Sequence, residues 1–327
     1  MRSREAEFER KLAQTGLRQL PDLLQTLPDE TARLTRLCYA ASPAGDWLDT
    51  PPEVFFSCAA HARYLRENVS WTRTLPEPLF LAYVLHPRVN NEALCDCRPV
   101  FYAALAERLR GLPEETAILE INRWCAEHVV YQPTDERTRS ALAVLRAGFG
   151  RCGEESMFAV NVLRACGFAA RQVYVPRWAH CDDNHAWVEV RCGGAWHFLG
   201  ACEPEAVLDR GWFNSAAGRA VLVHSRCFGE PEPGADLIGR EGDVVYCNET
   251  ARYADVRRLT VRVTDENGMS AAGADVDFCI LNNCEWYPAA TVQTDASGMA
   301  ALTCGLGSLR LLARRDGLCC EAFVSPE

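Results

Sequence analysis

No stretch of this sequence approaches the roughly 18 consecutive apolar residues that a membrane-crossing helix requires. Its start, MRSREAEFERKL, is followed by neither an apolar core nor a small-residue cleavage site, so no signal peptide is expected and the protein reads as cytoplasmic. Without export, NVS at Asn68 and NET at Asn248 lose their meaning as glycosylation acceptors. Low-complexity tracts are absent as well. So are clusters of lysine and arginine: the net charge of -10 argues against a polyanionic partner, and neither nucleic acid nor an anionic membrane is expected.

Paired metal ligands are missing too. CDC, at Cys95 and Cys97, is too tight for a usual zinc knuckle, and HCDDNH, from His180 to His185, has no matching pair nearby, so neither a metal nor a cofactor is expected. Cysteine itself is abundant. The 17 thiols are odd in number and scattered through a chain too large to need staples, which argues against a disulfide framework and leaves most of them as small, reduced, apolar fillers.

What is present is the composition of a globular protein, 48% apolar and 24% charged, long enough for two or three domains. Up to about residue 145 the texture is helical. REAEFERKLAQTGL, DETARLTRLCYAAS, PPEVFFSCAAHARYLREN, RPVFYAALAERLRGL and PEETAILEINRWCAEHVVY repeat apolar residues three or four apart, with prolines and small polar residues between them. GEESMFAVNVLRACG then reads as a mostly buried helix closed by Gly167. FAARQVYVP, NHAWVEVRC and AWHFLG read as strands, the last two joined through Gly193 and Gly194 as a hairpin. From about Tyr253, turn signals every ten residues or so separate short alternating strands, the pattern of a small antiparallel sandwich. The Gly-, Pro-, Asp- and Glu-rich stretch from Phe228 to Asp243 is the expected linker. The predicted fold class is α+β, with a helical region over 1–110, a core over 111–245 and a β-sandwich over 253–327 that is expected to fold on its own and to be dispensable for chemistry.

One phrase carries chemistry. GRCGEES, residues 150–156, sets Cys152 at a helix start, where free backbone N–H groups and the helix dipole stabilise a thiolate and can hold an oxyanion. A thiol nucleophile needs a base on a rigid element. In NHAWVEV the two-residue period places His185, Trp187 and Glu189 on one strand face and Ala186, Val188 and Val190 on the other, apolar one. Alone, a strand histidine is more often structural. Together with the helix-start cysteine, the order GRCGEES, strand, HAWVEV, hairpin, WHFLG over about residues 110–215 resembles the transglutaminase-like superfamily of papain-like cysteine enzymes, and GRCGE is similar to the phrase of its peptide N-glycanase branch. The resemblance implies Cys152 as nucleophile and His185 as its base. The terminal strands, with turns in VTDENG, AAGADVDF and TDASG, are similar to immunoglobulin-like or carboxypeptidase-regulatory-like modules.

The resemblance falters at the third member. An aspartate is expected four residues after Trp196, where Gly200 stands. If Gly193 and Gly194 make the turn, facing residues sum to about 387 and His185 faces Cys202, next to Glu203. Glu203 is therefore the favoured acid, with Glu205, Asp209 or no acid as alternatives. Asp182, Asp183 and Asn184, just before the base, line a cleft or form a solvated turn; Arg177 and Trp178 clamp substrate or pack a loop. Glu154 and Glu155 serve the helix N-terminus, although a carboxylate so close also opposes thiolate formation. HPRVNNE, from His86 to Glu92, is a structured loop. The expected function is thiol acyl transfer that hydrolyses an amide or peptide bond, on a peptide, amide or glycopeptide substrate, with the oligomeric state open. Alternatives are peptide N-glycanase-like deglycosylation, transglutaminase activity, or a non-catalytic peptide- or glycan-binding protein.

Overall fold

The computed structural model describes residues 2–135 and 137–325. Helices α1 (Arg2–Thr15), α2 (Leu20–Gln25), α3 (Asp29–Ala41), α4 (Ala44–Asp49), α5 (Pro52–Asn68), α6 (Ser70–Arg73) and α7 (Glu77–Phe80), the last running into a π-helical turn at Leu81–Leu85, precede α8 (Arg98–Leu109) and α9 (Glu114–His128). A parallel two-residue pair, β1 (Val130–Tyr131) and β2 (Phe149–Gly150), brackets α10 (Ala141–Ala147). Then come α11 (Cys152–Ala165), β3 (Ala170–Val175), β4 (His185–Cys192), β5 (Ala195–Leu199), α12 (Asn214–Ala217), β6 (His224–Phe228), β7 (Leu237–Glu241) and β8 (Val244–Asn248). The chain ends in β9 (Val256–Arg262), β10 (Asp275–Asn282), β11 (Glu285–Gln293), β12 (Met299–Gly305), β13 (Leu309–Arg315) and β14 (Leu318–Val324). This is the α+β architecture expected from the sequence, with a β-rich C-terminal region. Among the described residues no helix is long and apolar enough to cross a membrane.

The central sheet is antiparallel, in the order β5-β4-β3-β6-β8-β7. The β4–β5 hairpin turns at Gly193 and Gly194, both at positive φ (57° and 84°), and the pairing Val188↔Leu199 has the register sum expected from that turn. One face, carrying Ala170, Val188, Val190 and Leu199, packs against α8, α9 and α11. The opposite face, with Trp196, Cys227, Val245 and Cys247, is covered by the N-terminal helices. Helix α11 lies so deep that every residue from Gly153 to Ala165 is buried. At about 1.5–3 kcal/mol for each large apolar side chain removed from water, Met157, Phe158 and Leu163 alone make it a principal source of stability. Gly167 ends it at φ 89°, and a Cβ there would meet Thr72 Oγ1 at 2.1 Å, so glycine is required by both backbone and neighbour.

One expectation changes. The stretch read as a linker contains β7, which joins the central sheet beside β8; Pro233 and Gly234 form the turn ahead of the strand, Gly239 lies within it and Gly242 turns it into β8. The C-terminal strands form a four-stranded sheet (β11-β10-β13-β14) and a two-stranded one (β12-β9) around a shared core. Val221 and Leu222 of the central region belong to that core, and Gly305 N–H donates to Val221 O at 2.9 Å. Just ahead of β9, Arg252 and Tyr253 reach the buried Glu189 of β4: Arg252 Nε donates at 2.7 Å and the Tyr253 hydroxyl at 2.6 Å. Arg171 of β3 closes the cluster, donating from Nε to Glu189 at 2.7 Å and pairing through Nη1 with Glu249 at 2.7 Å. Burial by itself would raise the Glu189 carboxyl, but Arg171, Arg252 and the Tyr253 hydroxyl hold it below its ordinary value.

Removing one member of such a cluster leaves a charge buried and unpaired. Arg171→Met is expected to destabilise the protein by about 3–5 kcal/mol in urea denaturation, whereas Arg33→Met, on an exposed pair with Glu30, should leave the midpoint nearly unchanged. Equal midpoints for the two variants would contradict this account.

Candidate active site

The strand pair β1–β2 sets the entry to α11: Tyr131 lies beside Gly150, and Gln132 N–H donates to Gly150 O at 2.9 Å. Arg151 is extended (φ −76°, ψ 166°), and the helix begins at Cys152. Its first turn is held from the sheet. Gln172, on the helix-facing side of β3, donates to Gly153 O at 2.9 Å and to Ser156 Oγ at 2.7 Å, and Ser156 Oγ donates to Cys152 O at 2.6 Å. The half-buried Cys152 thiol comes within hydrogen-bonding reach of the backbone N–H of Ala186, the residue after His185, and of Gly153. The fold thus brings the helix-start cysteine to the first residues of β4.

His185 pairs with Val175 and shares its sheet face with Trp187 and Glu189, as the alternation predicts, yet that face is also buried. The imidazole packs against Trp212 and Phe213, with ring centroids at 4.8 and 5.0 Å. Nε2 is buried without a hydrogen-bond partner among the described residues. Burial pushes the imidazole pKa down to about 4, against a smaller upward pull from Asp183. The Cys152 thiol is pushed up, chiefly by burial and further by Glu155, while the Ala186 N–H, Arg151 and the Gly153 N–H oppose. Both groups are therefore uncharged at neutral pH, and the stabilised thiolate expected from the helix start is outweighed by desolvation.

Glu203 stands where the missing aspartate would be. A Cβ built on Gly200 would lie 2.4 Å from Glu203 Oε2, so the glutamate folds back into the space that a side chain at 200 would fill. Its carboxylate accepts the Trp212 indole N–H at 2.9 and 3.0 Å, and Trp212 packs on His185; no hydrogen bond joins Glu203 to the imidazole directly. The turn is held by buried Asn122 of α9, which donates to Gly200 O at 2.9 Å and accepts the Cys202 N–H at 3.0 Å, with Cys202 at φ 58°. Of the alternative acids, Asp209 is engaged by His197 Nδ1 at 2.6 Å, and half-buried Glu205 lies beside Arg210.

The remaining candidates separate. Arg177 lies over the Tyr287 ring at 4.3 Å, in contact with the C-terminal sheet, and Trp178 is buried among Val173, Val175, Trp187 and Phe213. Asp182 accepts the Asn283 N–H at 2.7 Å, and Asp183 Oδ1 accepts the Asn184 N–H at 2.7 Å; all three residues of this loop are exposed. Glu154 is taken by Arg139 rather than by the helix N-terminus, through Nε at 2.9 Å and the backbone N–H at 3.0 Å. Glu155 is buried, and burial together with Glu203 raises its carboxyl to about 8, so its charge opposes the thiolate only as it ionises above neutral pH. The HPRVNNE loop supplies carbonyls to buried Arg164 of α11, which donates to His86 O at 2.8 Å and Arg88 O at 3.0 Å. Gln172, Asn122 and Trp212 were missed in the sequence; only Gln172, a polar residue inside an apolar strand pattern, gave a signal.

The second cysteine of interest is Cys95. Its thiol is lowered to about 6, chiefly by hydrogen bonding from Cys97 against burial, with help from the Leu142 N–H and Ser140. The signs give a test. Iodoacetamide labelling of Cys152, followed by mass spectrometry, should rise roughly tenfold per pH unit from pH 6 to 9, whereas Cys95 should change little above pH 7. A flat Cys152 profile over that range would mean a preformed thiolate–imidazolium pair and overturn the neutral-pair description.

Residues 103–201 match the model of the transglutaminase-like superfamily, a span that includes Cys152 and His185 and stops two residues short of Glu203. No curated protein matches the chain. A solved structure of a candidate cysteine protease from Cytophaga hutchinsonii aligns with 16% identity and a TM-score of 0.28, over 47% of this chain and 57% of that one. The chain spans little more than half the length of that protein. With the cysteine helix packed on its antiparallel sheet, residues 103–201 form a transglutaminase-like domain.

Proposed function

We propose that the protein is a cysteine-dependent acyl-transfer enzyme that hydrolyses an amide or peptide bond, with Cys152 as nucleophile, His185 as general base and acid, and Glu203 as the positioning acid. The observation that carries this reading is the Cys152 thiol in reach of the Ala186 N–H, beside the one histidine at the head of β4. From a neutral pair, Cys152 Sγ attacks the carbonyl carbon while the His185 imidazole takes the thiol proton. Backbone N–H groups of the first turn of α11 face the developing oxyanion. The C–N bond then breaks as His185 returns the proton to the leaving amine. Water, deprotonated by the same imidazole, hydrolyses the thioester and restores the thiol.

Glu203 acts through Trp212. Its carboxylate fixes the indole N–H, and the indole fixes the imidazole plane, replacing the direct carboxylate contact that an aspartate at 200 would offer. Hydrolysis is favoured over amine transfer because water is the only acceptor it requires.

A panel of amide, peptide and glycopeptide substrates tests the reading. Cys152→Ala should abolish turnover and Glu203→Gln should lower kcat by about 10²–10⁴ with the fold intact. The acid limb of kcat/KM should fall near pH 4, where the buried imidazole titrates, rather than near 6.5. Turnover that survives Cys152→Ala rejects the nucleophile; full activity in Glu203→Gln reduces the site to a Cys–His dyad.

A further inference from the structure

The central sheet does not end its chemistry at Cys152. Ala186, whose N–H reaches the thiol, pairs with Tyr174 on β3, and Tyr174 pairs with His224 on β6. Beyond the N-terminus of α11 this same sheet face is left uncovered by helix and meets β11 of the C-terminal sheet across a cleft of about 660 Å³. Tyr174, His224, Arg226 and Tyr246 form its floor, and Tyr287 and Pro288 form the facing wall.

Two polar atoms in that floor are buried with no partner among the described residues: His224 Nδ1 and Arg226 Nε. Arg226 donates from Nη2 to the Tyr174 hydroxyl at 2.9 Å, and its guanidinium lies 5.3 Å from the Tyr174 ring centroid and 5.8 Å from that of Tyr246. Among the described residues it makes no salt bridge. Glu241, a carboxylate lining the cleft, accepts the Tyr246 hydroxyl at 3.1 Å. His224, 5% exposed, packs against Tyr174 at 4.0 Å; burial, reinforced by Arg226, lowers its pKa to about 3, so it adds no charge at neutral pH. The floor therefore presents one cation between aromatic faces, its Nε without a partner among the described residues, while Arg240 stands with Glu241 and Asp275 around it.

We propose that this cleft is a binding site for the free carboxylate of a peptide substrate, with Arg226 as its recognition residue and Tyr174 and Tyr246 as the surfaces for the adjoining apolar side chain. One guanidinium balances one negative charge, and its planar fork matches a carboxylate. The other charged groups lining the cleft, Arg240 against Glu241 and Asp275, leave one net negative charge, which disfavours a phosphate dianion. Two strand spacings separate β4 from β6, about 10 Å, or roughly three residues of extended chain. The site thus selects peptides whose C-terminus lies about that far from the bond cut. Its status as a substrate site rests on Cys152 as nucleophile; ligand binding to it does not.

Isothermal titration of the full-length Cys152→Ala protein with N-acetyl-Ala-Ala-Phe and with its C-terminal amide tests the proposal. Saturable binding of the acid is expected below about 10 mM, with the amide at least about tenfold weaker. Arg226→Gln should weaken the acid at least about tenfold and leave the amide unchanged, and Arg226→Lys should fall between. Should Arg226→Gln fail to fold, the lysine variant and the acid–amide ratio decide. Equal affinity for acid and amide, or no saturable binding, overturns the site. Carboxylate- and Arg226-dependent binding in a protein whose Cys152 proves inert keeps the site and rejects the acyl-transfer reading.

Discussion

The buried ion cluster around Glu189 is the constraint on which the rest of the molecule depends. A carboxylate with no exposure survives in the interior only while Arg171 and Arg252 neutralise it and the Tyr253 hydroxyl completes its hydrogen bonds. Those partners come from β3 and from the segment leading into the C-terminal sheets. Satisfying one charge in mid-sheet therefore fixes the register of β3 on β4, and with it the position of His185 four residues before Glu189. It also fastens the C-terminal region to the central sheet. Buried Asn282 adds a second fastening, since its side chain donates to Trp178 O at 2.9 Å and Cys181 O at 2.8 Å and so holds the loop that leads into His185.

The candidate active site inherits its electrostatics from that burial. A cysteine at the head of a surface helix would gain acidity from the helix end, but α11 is a core helix, and desolvation of the anion exceeds what the backbone N–H groups return. Loss of water acts on the imidazole in the opposite sense and on Glu155 in the same sense as on the thiol. The result is a site with little standing charge at neutral pH. At the neighbouring turn the glycine at 200 leaves room, and Glu203, three residues later, folds into it.

The sequence by itself determined the order of elements and most of their type. Helical periodicity marks α1, α3, α5, α8, α9 and α11, and the Gly193–Gly194 turn sets the β4–β5 register, because 3.6- and 2-residue periods and positive-φ glycines are local properties. Cys152 at a helix start and His185 at a strand start were legible for the same reason. Tertiary structure alone decided the rest. Whether Trp178 faces a ligand or the core, whether Asp209 serves His185 or His197, and whether 228–243 is a linker or carries a strand depend on what lies opposite in space. So do the acidities, which follow from how much water the surrounding chain removes, and the clustering of Tyr174, His224, Arg226 and Tyr246, which are separated in sequence and adjacent only because neighbouring strands point those side chains to one face.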